Sequence, residues 1–146
     1  MKWLYENKEI NEISDLPLNT FGFIYQTTHT PTGKKYIGKK SLMYNLKKKL
    51  GKKEKALWEG KGRPPMYKRV LKESDWKTYY GSHHLIKEYL KGGFEHELKR
   101  EIIAIATDKK HLTYLECKHQ FALGVLESSE YLNDNILGKF FDKDFV

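Results

Sequence analysis

The stretch Gly22-Phe-Ile-Tyr25, continued through His29-Thr-Pro-Thr-Gly33 to Lys35-Tyr36-Ile-Gly38-Lys39, decides how this chain is read. Phe21, Phe23 and Tyr25 alternate with Gly22, Ile24 and Gln26, the period of two that marks a strand with two distinct faces. Pro31 and Gly33 punctuate the connection, and a second strand resumes at about Lys35. A hairpin symmetric about Thr30-Pro31 sets Tyr25 opposite Tyr36 and Phe23 opposite Gly38. Directly opposed residues have Cβ atoms roughly 4.5–5.5 Å apart, so the two phenols are expected to share one face. Gly38 then leaves a hole beside them where a ligand can approach the backbone.

Working outward, 146 residues make one domain with at most a small appendage. The expected division is a lead-in over 1–20, a domain over 21–135 with a basic insertion at about 41–75, and a tail over 136–146. Met-Lys-Trp-Leu-Tyr-Glu at the start contains no apolar run suited to a signal peptide or a membrane span, so a soluble, cytoplasmic protein is expected. Cys117 is the sole cysteine, which excludes an internal disulfide and argues against a cysteine-based zinc site.

Charge is placed unevenly. Between Lys34 and Lys72 there are 15 lysines and arginines against two acidic residues, Glu54 and Glu59, a local balance of +13; the rest of the chain carries −5. Such a concentrated positive field attracts polyanions and gives salt-dependent binding to phosphate backbones. The alternative is a solvated loop whose lysines only keep it soluble. An anionic membrane is the poorer partner, because Lys47-Lys-Lys-Leu-Gly-Lys-Lys lacks the sustained apolar face of an interfacial helix.

Residues 1–20 fit a strand or a helix equally well. After the hairpin, Gly51, Gly60, Gly62, Pro64 and Pro65 interrupt residues 41–75 and point to an extended, mobile insertion. Ser82 as N-cap and Gly92 as stop bracket a helix whose apolar positions are Leu85, Ile86, Tyr89 and Leu90. Phe94 to Ala106 suits helix or strand. Asp108 caps a helix to about Leu123, ended by Gly124, with Leu112, Leu115, Ala122 and Leu123 on its buried side. Residues 125–146 read as irregular. The order hairpin, insertion, helix, possible strand, helix is an α/β (α+β) pattern with a small, mainly antiparallel sheet of three strands flanked by helices.

Glu116 shares a helix face with Leu112, His119 and Leu123, so its carboxylate borders the apolar stripe. An inward carboxylate is costly unless it is paired or binds a metal. A single glutamate suits Mg²⁺, which keeps most of its waters; pairing with Lys118 or Lys109 is the simpler alternative. Tyr25 and Tyr36 likewise have two readings, as strand residues with hydroxyls at the rim or as phenols that hold a reacting water. Lys39 and Lys40 are the cations placed to favour a phenolate.

Gly22-Phe-Ile-Tyr25 with Lys35-Tyr36-Ile-Gly38-Lys39 resembles the paired motifs of the GIY-YIG endonucleases, with one residue inserted in the first. A following helix, a strand around Phe94-Glu95, a helix bearing Leu115-Glu116 and the late Tyr131-Leu-Asn133 match in order, so the resemblance covers roughly residues 21–135. Glu73-Ser-Asp-Trp76 with Tyr79-Tyr-Gly-Ser82 looks like a subset of small phage-encoded members, which implies the host cytoplasm as location. The resemblance implies metal-dependent hydrolysis of DNA, with Tyr36 as general base or positioner of the attacking water and Tyr25 helping to hold water and phosphate. It makes Glu116 the sole protein ligand of Mg²⁺ or Mn²⁺, Lys39 a supporting cation and Asn133 the residue that structures the site.

The family arginine on the first helix has no counterpart there; Lys47, Arg63 or Arg69 is expected to replace it, with Arg69 preferred. Lys40, Lys47, Lys48, Lys49 and Arg63 are expected to contact DNA, and few residues of the insertion suit base edges, so strong sequence specificity is not predictable from the sequence. No small-molecule cofactor is expected, and a monomer or a homodimer fits. Two rivals stand beside this reading: a basic nucleic-acid-binding module with a decayed nuclease site, and a histidine-metal nuclease built on His83, His84 and Asn133.

Overall fold

The chain runs in order through β1 (Trp3–Tyr5), β2 (Lys8–Ile10), β3 (Gly22–His29), β4 (Lys34–Ser41), β5 (Met43–Lys49) and α1 (Lys52–Ala56). It continues through β6 (Tyr67–Glu73), α2 (His84–Lys91), β7 (Leu98–Ala106), α3 (Lys109–Ala122), β8 (Asn135–Ile136) and β9 (Phe140–Phe141). These elements are those of a computed structural model that describes residues 1–145. They form two compact units: Met1–Leu42 together with the chain from Asp75 onward, and Met43–Ser74.

In the first unit the sheet order is β2-β1-β7-β3-β4, antiparallel except for the parallel β1–β7 pair. The mainly antiparallel α/β architecture is the expected one, but the sheet has five strands where three were expected. The two extra strands come from residues 1–10. Glu6 and Asn7 both have positive φ, the two-residue turn whose twist matches a hairpin, and Trp3, 1% exposed, anchors β1 in the core.

β3 is an interior strand between β7 and β4, and Gly22, Phe23, Ile24 and Tyr25 are all buried. Its alternation therefore separates two cores, not a core from solvent. Phe23 and Tyr25 face an aromatic layer with Trp3 and Trp76, whose rings meet edge to face at 4.9–6.4 Å. Ile24 faces the other way, into a cluster with Ile37, Ala106, Leu112 and Val125.

The hairpin register differs from the symmetric expectation. Tyr25 pairs with Gly38, Thr27 with Tyr36 and Phe23 with Lys40. The strands close at His29↔Lys34, and Gly33, at φ 73, returns its N–H to the His29 carbonyl at 2.8 Å. That turn moves the axis by one residue. Strand parity survives such a move, so Tyr25 and Tyr36 still share a face, but as diagonal neighbours.

The helices follow their caps. Asp108 Oδ1 accepts the His111 amide at 2.7 Å, and α3 ends in paired bonds, Val125 N–H to Gln120 O and Gly124 N–H to Phe121 O, with Gly124 at φ 59. Its inward line is Leu112, Glu116 and Gln120, spaced i, i+4, i+8, while Ala122 and Leu123, expected inside, are exposed because the helix ends there. α2 is capped by His83, not by Ser82: the His83 Nδ1 accepts the Leu85 amide at 3.2 Å. The ambiguous stretch resolves into β7, preceded by a single helical turn at Glu95–Glu97, so the strand expected around Phe94-Glu95 begins at Leu98.

The second unit is an antiparallel ribbon, β5 against β6, with α1 between them. An extended segment was expected here. The glycines and prolines fall in the connection instead, which leaves a seven-residue run on each side free to pair.

Candidate active site

β4 lies at the edge of the sheet, and its side chains serve both faces. On one face Tyr25 is 1% exposed, packed edge-on against Trp3 and Tyr79 and 6.3 Å from Tyr36 between ring centroids. Gly38 makes this arrangement possible: a Cβ there would lie 2.5 Å from the Tyr25 hydroxyl and 3.0 Å from Tyr36 Cε1. The Tyr36 hydroxyl shares a 2.9 Å hydrogen bond with Ser82 Oγ. Burial pushes both phenols above their ordinary pKa, Tyr25 strongly, and neighbouring negative charge, including Glu116, adds to the effect.

Lys39 and Glu116 occupy the other face. Lys39 Nζ donates to Thr113 Oγ1 at 3.0 Å and lies 4.0 Å from Glu116 Oε1. The Glu116 side chain is 19% exposed, and burial raises its pKa while the Lys39 charge and amide pull it down. One cation at that separation compensates the carboxylate only loosely. A half-buried carboxylate so poorly paired, opening on solvent, fits one divalent cation that keeps its waters.

The free edge of β4 joins the two faces. The Lys35 amide donates to Glu130 O at 2.9 Å and Leu132 N–H donates to Lys35 O at 2.7 Å, so the C-terminal segment lies along the edge as a short extra strand. Asn133 continues that ladder with its side chain. Its Oδ1 accepts the Ile37 amide at 3.0 Å, its Nδ2 donates to Ile37 O at 2.8 Å, and Gln120 Nε2 donates to the same carbonyl at 3.0 Å. Ile37 sits between Tyr36 and Gly38, so these bonds set the edge backbone from which Tyr36 projects. Tyr36, Lys39, Glu116, Asn133, Ser82 and His83 line one open cavity of about 590 Å³.

His83, His84 and Asp134 bring possible ligand atoms within 4.8 Å of one another at the rim of this cavity. The His83 Nδ1 lone pair is already taken by the Leu85 amide, so in the neutral ring Nε2 carries the proton, directed at Asp134 Oδ2 3.3 Å away. Metal ligation through Nε2 costs that cap. Both ends of the Asn133 amide are engaged with Ile37, so the ligand trio of His83, His84 and Asn133 is not assembled.

Lys40 points to the aromatic face, ion-paired with Asp75 and 4.0 Å above the Tyr79 ring, with a side chain only 17% exposed. Lys47, Lys48, Lys49, Arg63 and Arg69 all belong to the Met43–Ser74 unit. The first unit has one arginine, Arg100, 3% exposed and spent on the carbonyls of Met1, Lys77 and Tyr79. Gln120 and Asp134 were not singled out from sequence, and Ser82 was read as a helix cap and motif residue, not as a site residue. Gln120, four residues after Glu116 on the same helix line, carried a usable signal; Asp134 carried none.

The chain matches over residues 3–136 the family model described as "Putative endonuclease segE, GIY-YIG domain". Neither the curated proteins nor the solved structures yield a match.

Proposed function

The chain belongs to the GIY-YIG endonuclease family and is a DNA endonuclease, and from that premise we propose that it cuts phosphodiester bonds with a water held at Tyr36 and one divalent cation, Mg²⁺ or Mn²⁺, on Glu116. The observation that carries this reading is the convergence of Tyr36, Lys39 and Glu116 on one cavity at a strand edge braced by Asn133.

Tyr36 orients the attacking water through its hydroxyl, with Ser82 Oγ as the second partner of that hydroxyl. The phenol is protonated in the free protein, because burial and the Glu116 charge both oppose its ionisation. Positive charge reaching Glu116 favours release of the phenolic proton to solvent, and the resulting phenolate is the form that can take the water's proton. Glu116 would hold the divalent cation, which when bound would supply that charge and Lewis acidity to the phosphodiester. Lys39, tethered by Thr113, offers a fixed positive charge to the pentacovalent phosphorus, where prearranged charges act most effectively. Tyr25, buried beneath Tyr36, positions it and contributes no exposed hydroxyl of its own. Lys39 is the cation that the first unit itself offers here, because its one arginine, Arg100, is engaged with backbone carbonyls.

Nicking of supercoiled plasmid in Mg²⁺ or Mn²⁺ tests the reading. Tyr36→Phe and Glu116→Ala are each expected to slow nicking by about 10²–10⁴-fold. If both nick at the wild-type rate, the mechanism is wrong; a wild type that binds duplex but nicks in neither metal points to the decayed binding module.

A further inference from the structure

All of the formal net charge of this protein resides on the ribbon unit. Met43–Ser74 carries eleven lysines and arginines against three acidic residues, a balance of +8, while the rest of the chain carries sixteen of each sign. The charge is also arranged. The β5–β6 register pairs Asn45 with Leu71, Lys47 with Arg69 and Lys49 with Tyr67, and strand alternation sets all six on one face. Every one of them is exposed. On the opposite face Lys68 and Val70 are half-buried, and Lys68 is ion-paired with Glu54 of α1.

The open face is costly for the isolated protein. Lys47 and Arg69 stand directly opposite each other, a like-charge pair that destabilises a ribbon. Among the described residues no carboxylate pairs with either; Lys47 Nζ instead lies 4.4 Å from the Tyr67 ring centroid. Leu71, 64% exposed, completes the face with an apolar group. An anionic partner that also offers acceptors, donors and methyl groups matches this set.

We propose that the face formed by Asn45, Lys47, Arg69 and Leu71 enters the major groove of duplex DNA and biases where the enzyme binds. Two strands roughly 4.7–4.9 Å apart, with their side chains, fit a groove about 12 Å wide. Arginine and lysine suit guanine O6 and N7, asparagine suits adenine N6 and N7, and an aliphatic group suits the thymine methyl. Lys49 and the lysines of α1 are left for phosphates. The sequence expectation that the insertion holds few base-reading residues is thereby revised, because only the register shows that these four share a face. This inference rests on the reading of the chain as a DNA enzyme.

The test is binding, measured on the full chain in EDTA so that no cleavage intervenes. Fluorescence anisotropy on a labelled mixed-sequence duplex compares wild type with Asn45→Ala, Arg69→Ala and Leu71→Ala, with Lys143→Ala as control. All four positions are exposed, and circular dichroism verifies the fold of each variant. Arg69→Ala is expected to weaken binding at least tenfold, and selection from a randomised duplex pool is expected to lose base preference in Arg69→Ala and Asn45→Ala. Methyl green, which occupies the major groove, should displace the protein, and netropsin, which occupies the minor groove, should not. The proposal is overturned if netropsin competes and methyl green does not, if single-stranded DNA competes as well as duplex, or if Arg69→Ala slows cleavage with binding intact. Loss of nicking in Mg²⁺ with this binding pattern retained refutes the nuclease mechanism and leaves the ribbon assignment standing.

Discussion

Replacing Asn133 by alanine removes a side chain that behaves as a piece of β-strand. The 4%-exposed amide makes two hydrogen bonds to Ile37, one to its N–H and one to its carbonyl. In the variant the Ile37 carbonyl keeps Gln120, but the Ile37 N–H, on a buried residue, has no replacement. Losing one satisfied bond costs about 1 kcal/mol, and leaving a buried donor unpaired costs about 1–3 kcal/mol. The total of about 2–4 kcal/mol corresponds to a fall in Tm of roughly 5–15 °C for a chain of this size. Because Ile37 neighbours Tyr36, nicking is expected to fall by more than the folded fraction alone explains. Asn133→Asp separates the two bonds. The carboxylate can still accept the Ile37 amide, but it faces the Ile37 carbonyl without a donor. Its folded-state pKa must then lie above the unfolded value of about 3.9, so the folded state binds protons more tightly. Stability gained by protonation is complete below the unfolded pKa and is lost as pH rises through the folded pKa. The Tm deficit of Asn133→Asp should therefore shrink on acidification from pH 7 to pH 4.5, while that of Asn133→Ala stays constant. A Tm for Asn133→Ala within 2 °C of wild type, with wild-type nicking, would refute the strand-partner argument.

Gly38→Ala puts a methyl group 2.5 Å from the Tyr25 hydroxyl, whose ring is locked by Trp3 and Tyr79; overpacking of about 1–3 kcal/mol and a loss of nicking of about 10²-fold are expected from thermal melts and plasmid assays. Arg100→Ala removes the guanidinium donors to three backbone carbonyls and empties the space beside the Trp3 and Tyr80 rings; denaturant titration should show a loss of about 3 kcal/mol or more, which Arg100→Lys, lacking the planar fork, does not rescue. The Tyr80 hydroxyl, itself pushed up to about 12, donates to Glu95 and holds that carboxyl below its ordinary pKa, helped by the N-terminal amine. Its contribution is present above the unfolded pKa of about 4.3 and is lost as pH falls through the folded value, so the stability advantage of wild type over Glu95→Gln, at most about 1 kcal/mol at this exposed site, should shrink in thermal melts as the solution is acidified below the unfolded pKa.

Much of this protein is legible in its sequence because the relevant signals are local. Period-two alternation marks β3, Asp108 and Gly124 bracket α3, and the lysine clusters locate the basic unit. The paired tyrosine motifs with Glu116 and Asn133 carry the family. These features depend on dihedral preferences and on near neighbours, which a sequence displays directly. What the tertiary structure decided depends on partners distant in the chain. Composition cannot say whether the second face of β3 meets water or a helix, and here α3 covers it, so both faces of this interior strand are buried. The hairpin turn set the register, which converted an opposed tyrosine pair into a diagonal pair over Gly38. Asn133 could be matched to a family position, but its function as a side-chain rung on the edge of β4 emerges only when residues nearly a hundred positions apart meet. Glu116 reads as a stripe-edge glutamate until Lys39, from a different element, is seen 4.0 Å away and too distant to neutralise it well. Electrostatic and hydrogen-bond energies depend on distances across space, and sequence order carries those distances only within a helical turn or a strand pair.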